Sequence, residues 1–259
     1  MPLNTSPLRY PGGKTRAIKL LDAEIQSRYS GRKTFLSPFF GGGSFELSLY
    51  GKGYTIYGND LFKPLATFWT TIQASSVAVG DAVKARCPVT KENFQEYRRT
   101  ICELEDPVEI ATAYYIVNRC SFSGATFCGG FSQQAASGRL TSSAIKRLLD
   151  VKLDNIVFSS IDCIRFLEMH PETDDTLVYA DPPYYIETYI YGNHGDMHEA
   201  FDHVALSQTL KARSDWILCY NDCMYIRNLY AGCEIKKVSW SYGMNAGKES
   251  SEIFIFPPK

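Results

Sequence analysis

Residues 176–185 read TLVYADPPYY, an apolar run that stops at a carboxylate followed by two prolines and two tyrosines. Proline has no N–H for a sheet ladder and keeps the residue before it extended, so a strand over 176–180 must end at Asp181. That places a carboxylate at a strand edge beside a rigid turn. In open α/β sheets the crevice at the carboxyl ends of the strands is where ligands bind. Aspartate and proline are also ordinary turn residues, so the stretch alone admits a plain turn.

Its neighbours narrow the choice. Residues 34–40 form a short strand candidate that runs into Gly41, Gly42, Gly43 and Ser44, then an apolar-periodic helix with Phe45, Leu47 and Leu49. Strand, glycine turn and helix in that order bring backbone close to a cofactor, because glycine lacks the Cβ that would block the approach. The spacing matches neither GxGxxG nor the phosphate loop ending in GK[ST], which points to a nucleoside cofactor without a phosphate chain. A second strand, 54–60, ends at Asp60, and an acid there can accept hydrogen bonds from ribose hydroxyls. An Asx-type turn explains the same residue. Upstream, Tyr10-Pro-Gly12-Gly-Lys14 opens a helical pattern with Ile18, Leu21 and Ile25 on one side, which suits either an anion site or a simple turn.

The later elements continue the alternation: a strand over 155–162 ending in Asp162, a helix over 163–169, the strand 176–180, an amphipathic helix over 201–213, a strand over 215–221, and closing strands at 233–240 and 252–256. Such alternation predicts a mainly parallel sheet covered on both faces. Between Leu61 and Leu149 the pattern turns helical and irregular, with helices expected over 62–72, 92–103 and 107–119. Residues 121–139 then mix glycines, hydroxyls, amides and phenylalanines, as an exposed loop or hairpin does.

With 259 residues the chain suffices for one large domain or a core with an insert, and a net charge of −1 means that any polyanion must meet a local patch. Arg98, Arg99, Arg119, Arg139, Lys146 and Arg147 make the middle region the source of such a patch. The eight cysteines form no CxxC pair and read as reduced thiols. His194, His198 and His203 fall within ten residues, but Gly192 and Gly195 make that segment a polar loop entering a helix, and no metal is expected. Neither a signal peptide nor a membrane span is visible, and an intracellular location, cytoplasmic or nucleoid-associated, is expected.

The set Arg9-Tyr-Pro-Gly-Gly-Lys14, Pro38-Phe-Phe-Gly-Gly-Gly-Ser44, Asp60 and Asp181-Pro-Pro-Tyr184, in that order, resembles the Dam-like, alpha-group family of DNA adenine-N6 methyltransferases. The resemblance implies a Rossmann-like, S-adenosylmethionine-dependent methyltransferase fold with a mainly parallel seven-stranded sheet. Residues 1–61 and 150–259 would form the catalytic domain, and 62–149 a mostly helical target-recognition insert containing a hairpin loop. It implies that Tyr10, Gly12, Lys14, Phe39, Gly41, Gly42, Gly43, Ser44, Asp60, Asp162 and Asp181 hold S-adenosylmethionine, with Asp60 on the ribose and Asp162 on the adenine amino group. Asp181, Pro182, Pro183 and Tyr184 would be catalytic. Asn118, Arg119, Phe122, Ser123 and Arg139 would meet double-stranded DNA, with Phe122 as the aromatic wedge. His203 is similar to the histidine of the helix after DPPY, and Asn245 and Glu252 sit in a segment similar to the last motif. Ser37 departs from the pattern, since the residue before Pro-Phe is often acidic, and around Ala125-Thr-Phe127 the arginine of enzymes reading GATC is absent. No obligate protein partner is implied.

An adenine amino group is a poor nucleophile because its lone pair is delocalised into the ring. Asp181 accepting one amino hydrogen and the Pro182 carbonyl the other favours a pyramidal nitrogen, and Tyr184 offers a face on which the base stacks. The same pocket chemistry suits the N4 amino group of cytosine or adenine in RNA. A catalytically silent nucleic-acid-binding module is the reading from another class.

Overall fold

The computed structural model describes residues 5–50, 52–185, 201–238 and 252–258. His194, His198, Asn245 and the end of the strand expected over 233–240 lie outside them.

Seven strands form one sheet: β1 (Thr34–Ser37), β2 (Thr55–Asn59), β3 (Ile156–Ser159), β4 (Thr176–Ala180), β5 (Trp216–Asn221), β6 (Glu234–Val238) and β7 (Glu252–Phe256), in the order β3-β2-β1-β4-β5-β7-β6. The pairs β1/β2, β1/β4, β2/β3 and β4/β5 are parallel, whereas β7 runs antiparallel to both β5 and β6. The chain thus leaves β1 in one direction for β2 and returns on the other side as β4. The carboxyl ends of β1 and β4 therefore flank the switch point where a crevice must open.

Ten α-helices among the described residues complete the fold: α1 (Ile18–Arg28), α2 (Glu46–Leu49), α3 (Lys63–Ala85), α4 (Lys91–Thr100), α5 (Pro107–Cys120), α6 (Gln133–Arg139), α7 (Ser142–Asp150), α8 (Cys163–Met169), α9 (His203–Lys211) and α10 (Met224–Leu229). Side chains alternate across the sheet, and the two faces feed two cores. From β4, Leu177 and Tyr179 join a cluster with α1, α3 and α5, while Val178 and Ala180 join one with α8, α9 and α10. Burial on both faces explains why β4 and β7 read as unbroken apolar runs.

The helical region after Asp60 is not a separate core. Phe68, Trp69, Tyr114 and Val117 belong to the same cluster as Phe35, Ile56 and Leu177 of the sheet. Helix α3 runs beyond the expected 62–72 and leaves helical geometry at Ser75. Its first part covers the sheet: Trp69 stacks on Phe158 of β3 with centroids 6.0 Å apart, and Gln73 Nε2 donates to the carbonyls of Leu153 and Ile156, both at 2.7 Å. Its second part carries Val79 and Val83 into packing with the remaining helices. In place of a regular hairpin, residues 121–131 form two 3-10 turns closed by a single antiparallel bridge, Ser121 to Phe131.

Trp69 also ties this helix to the switch point, because its Nε1–H donates to the Gly41 carbonyl at 2.9 Å. Trp69→Phe removes that donor and leaves a void, and should destabilise the protein by about 1–3 kcal/mol. Thermal unfolding checks this, with a loss of several degrees expected for a chain of this size.

Candidate active site

A pocket opens at the carboxyl ends of β1, β2 and β4. Tyr10, Gly12 and Lys14 form one wall and Phe39 another, the turn Gly41, Gly42, Gly43, Ser44 forms the floor, and Asp60, Asp162, Asp181 and Pro183 stand around it. Residues far apart in the chain thus meet in one place. Pro182 is buried and Tyr184 half-buried just behind this lining.

The glycine turn shows why these positions lack side chains. Gly41 and Gly43 have φ of +50° and +63°, a region that disfavours Cβ. A Cβ on Gly42 would stand 2.5 Å from the Tyr10 Cβ, and one on Gly41 2.9 Å from the Tyr10 ring. A Cβ on Gly43 would stand 2.5 Å from the Phe40 ring, so the turn is closed to side chains by the protein itself at all three positions. Asp60 fixes the same turn, accepting from Gly41 N–H at 2.9 Å and from Phe62 N–H at 3.0 Å. Burial pushes its carboxyl up to about 6 despite those two donors. Asp162 caps α8, its Oδ1 accepting from the N–H groups of Ile164 (2.9 Å) and Arg165 (3.1 Å). Among the described residues its Oδ2 makes no hydrogen bond and is open to a donor on a ligand.

Lys14 forms the electrostatic centre. Its ammonium is 2.8 Å from both Asp181 oxygens, donates to Tyr184 OH at 2.7 Å and to the Gly12 carbonyl at 3.1 Å, and lies 3.5 Å from Glu252. Tyr184 OH donates onward to Glu252 Oε2 at 2.6 Å. Lys14 is 2% exposed and Glu252 3%. Burial alone would depress the lysine, but Asp181 and Glu252 outweigh it and hold the ammonium above its ordinary range. Burial, with Glu252 nearby, raises the Asp181 carboxyl, and Lys14 counteracts that rise.

Two residues that the sequence analysis did not single out, Asn59 and Glu46, also line the pocket. Asn59, 1% exposed, knits the strand ends together: its Nδ2 donates to the carbonyls of Pro38 (3.2 Å) and Ile161 (2.9 Å), and its Oδ1 accepts from Ser159 Oγ (2.8 Å) and Ile161 N–H (3.0 Å). Glu46, 4% exposed in α2, accepts from Ser37 Oγ at 2.7 Å. A lone acid inside the apolar run FELSL was the available clue. Burial pushes its carboxyl up to about 7, Asp181 adds to the rise, and Ser37 and Lys14 oppose it.

The residues expected to meet DNA separate into two groups. Phe122 is 68% exposed on the first 3-10 turn, next to exposed Ser123. Ser123 and Thr126 hold φ of +54° and +50°, a strained conformation for residues with a Cβ. Asn118 and Arg119 form the second: both side chains are buried, 0% and 7% exposed. Asn118 clamps the Arg9 backbone, accepting from its N–H at 3.0 Å and donating to its carbonyl at 2.6 Å, and also donates to Thr126 Oγ1 at 3.0 Å. Arg119 donates through Nε to the Arg139 carbonyl at 3.0 Å, and burial lowers its pKa. Arg139 is half-buried, and its charge also depresses Arg9 and Arg119, so three arginines lie together below the Phe122 turn. His203, hydrogen-bonded to Tyr220 OH through Nδ1, belongs to an aromatic group with Phe201 and Tyr185. Among the described residues no three metal-ligating side chains cluster, and no helix is long and apolar enough to cross a membrane.

Residues 10–244 match the family model of the D12 class N6 adenine-specific DNA methyltransferases. The chain belongs to this family. No curated protein matches it. Asp181 keeps lone pairs beyond the two that face Lys14 and can accept from a further donor.

Two predictions follow from these charges. Lys14→Met removes the cation that holds Asp181 down, so the acidic limb of the kcat/KM profile should move to higher pH, with turnover reduced about 100-fold near neutrality. Glu46 has a folded pKa of about 7 against an ordinary 4.5, so the carboxyl contributes stability that is complete below pH 4.5 and lost as pH rises through 7. Glu46→Gln should therefore be more stable than the wild type at pH 8 by roughly 1–3 kcal/mol, a difference that vanishes near pH 4.5 in denaturant melts.

Proposed function

We propose that the chain transfers a methyl group from S-adenosyl-L-methionine to the N6 amino group of an adenine flipped out of duplex DNA at a specific sequence. The observation that carries the donor assignment is the charge of the pocket: among the described residues, Glu46, Asp60, Asp162, Asp181 and Asp202 line it against a single lysine, Lys14. Acids at this density fit a cationic ligand that offers donors, and repel phosphate chains. A sulfonium nucleoside carries ribose hydroxyls, an adenine amino group and an α-ammonium to meet them.

Asp60 would hold the ribose and Asp162 the adenine amino group, with Tyr10, Gly12, Phe39, Ser44 and the Gly41–Gly43 turn along the rest of the ligand. The donor supplies an electrophilic methyl group. Asp181 accepts one hydrogen of the target amino group and the Pro182 carbonyl the other, localising the nitrogen lone pair. Lys14 opposes the rise that burial imposes on the Asp181 carboxyl, Pro183 stiffens the turn, and Tyr184, anchored through its hydroxyl to Lys14 and Glu252, keeps its ring fixed for stacking. Holding nitrogen, carbon and sulfur in line supplies much of the rate.

Phe122 and Ser123 would enter the duplex and Arg139 meet its backbone. Unstacking one base costs a few kcal/mol, offset by contacts in the pocket. Asn118 and Arg119 act behind them by tying this turn to Arg9 and to the end of α6.

Asp181→Ala should lose methyl transfer in a radiolabelled-methyl assay on duplex DNA while still binding the donor; wild-type turnover would contradict the assignment. Phe122→Ala should weaken flipping, followed by 2-aminopurine fluorescence, more than donor binding. Single-molecule sequencing of DNA from cells that express the protein reads the modified base and its sequence context together. Methylated adenine in one recurring context is the expected result.

A further inference from the structure

We propose that the Glu46 carboxylate binds the α-ammonium of the methyl donor, an inference that rests on the donor assignment above. Glu46 is 4% exposed, lines the pocket, and among the described residues forms no salt bridge. Its carboxylate accepts from the neutral Ser37 hydroxyl at 2.7 Å and from its own backbone N–H, both uncharged donors. A buried carboxylate facing a pocket without a bonded cation is costly unless the ligand brings one.

Position in the pocket selects which cation. Asp60 and Asp162 follow β2 and β3, on one side of the sheet's switch point, and take the adenosine end of the donor. Glu46 follows the glycine turn after β1 and shares its side of the pocket with Tyr179 and Asp181 of β4. The methyl group must lie near Asp181, so the amino-acid end of the donor falls beside Glu46. Burial disfavours the ionised carboxylate, and a cation on the ligand would stabilise it. The Ser37 hydroxyl at the end of β1 points to Glu46.

The test is calorimetry on wild-type protein and Glu46→Gln with three ligands: S-adenosylmethionine, S-adenosylhomocysteine, which lacks the sulfonium charge, and 5′-methylthioadenosine, which lacks the whole amino-acid end. Glutamine preserves the acceptor for Ser37. The expected result is a loss of about 10- to 100-fold for the first two ligands and less than about threefold for methylthioadenosine. Equal losses for all three would show a structural role, and a loss confined to S-adenosylmethionine would place Glu46 on the sulfonium; either overturns the inference. A wild-type protein that binds none of the three overturns the donor assignment and this inference with it.

Discussion

The Lys14 ammonium stands 2.8 Å from both Asp181 oxygens, and three distant parts of the chain meet on it: the turn before α1, the segment from Asp181 to Tyr184 after β4, and Glu252 at the start of β7. Leaving one buried ammonium or carboxylate unpaired costs several kcal/mol, so none of these pieces can shift alone. Strand β7 lies beside β5, and from there Glu252 reaches Tyr184. It also explains a charged residue in a strand buried along its whole length.

Around that centre the pocket is built by backbone more than by side chains. Tyr10 presses on the glycine turn, Trp69 and Asp60 hold its carbonyl and N–H from opposite sides, and Asn59 joins the ends of three strands. Such a floor is set before any ligand arrives, which lowers the cost of binding. The helical region after Asp60 is coupled to it directly. Asn118 grips the backbone of Arg9, one residue before Tyr10, so the Phe122 turn and the glycine turn share a support.

The sheet was legible because β4, β5 and β7 are buried on both faces and read as continuous apolar runs bounded by acids, prolines or polar residues. The pocket residues were legible because backbone chemistry restricts them: a left-handed turn needs glycine, and a double proline ends a strand. Tertiary contacts hid the rest. Asn118 and Arg119 look like surface residues in any local window, and only the fold shows that Arg9 and Arg139 occupy their hydrogen bonds. Glu46 hides in an apolar run, and α6 and α7 sit in a polar stretch whose helices are stabilised by Ser132 and Thr141 caps. Helix α3 continues past Ser75 because Val79 and Val83 are buried against the rest of the insert, a contact no local pattern reveals.

The central claim is that this pocket methylates the amino nitrogen of adenine. Purified protein incubated with duplex DNA and S-adenosylmethionine bearing a deuterated methyl group, followed by digestion and mass spectrometry of the nucleosides, tests it most directly. The account predicts the label on N6 of deoxyadenosine. Label on N4 of deoxycytidine, or no labelled nucleoside from protein that binds the donor, would contradict it.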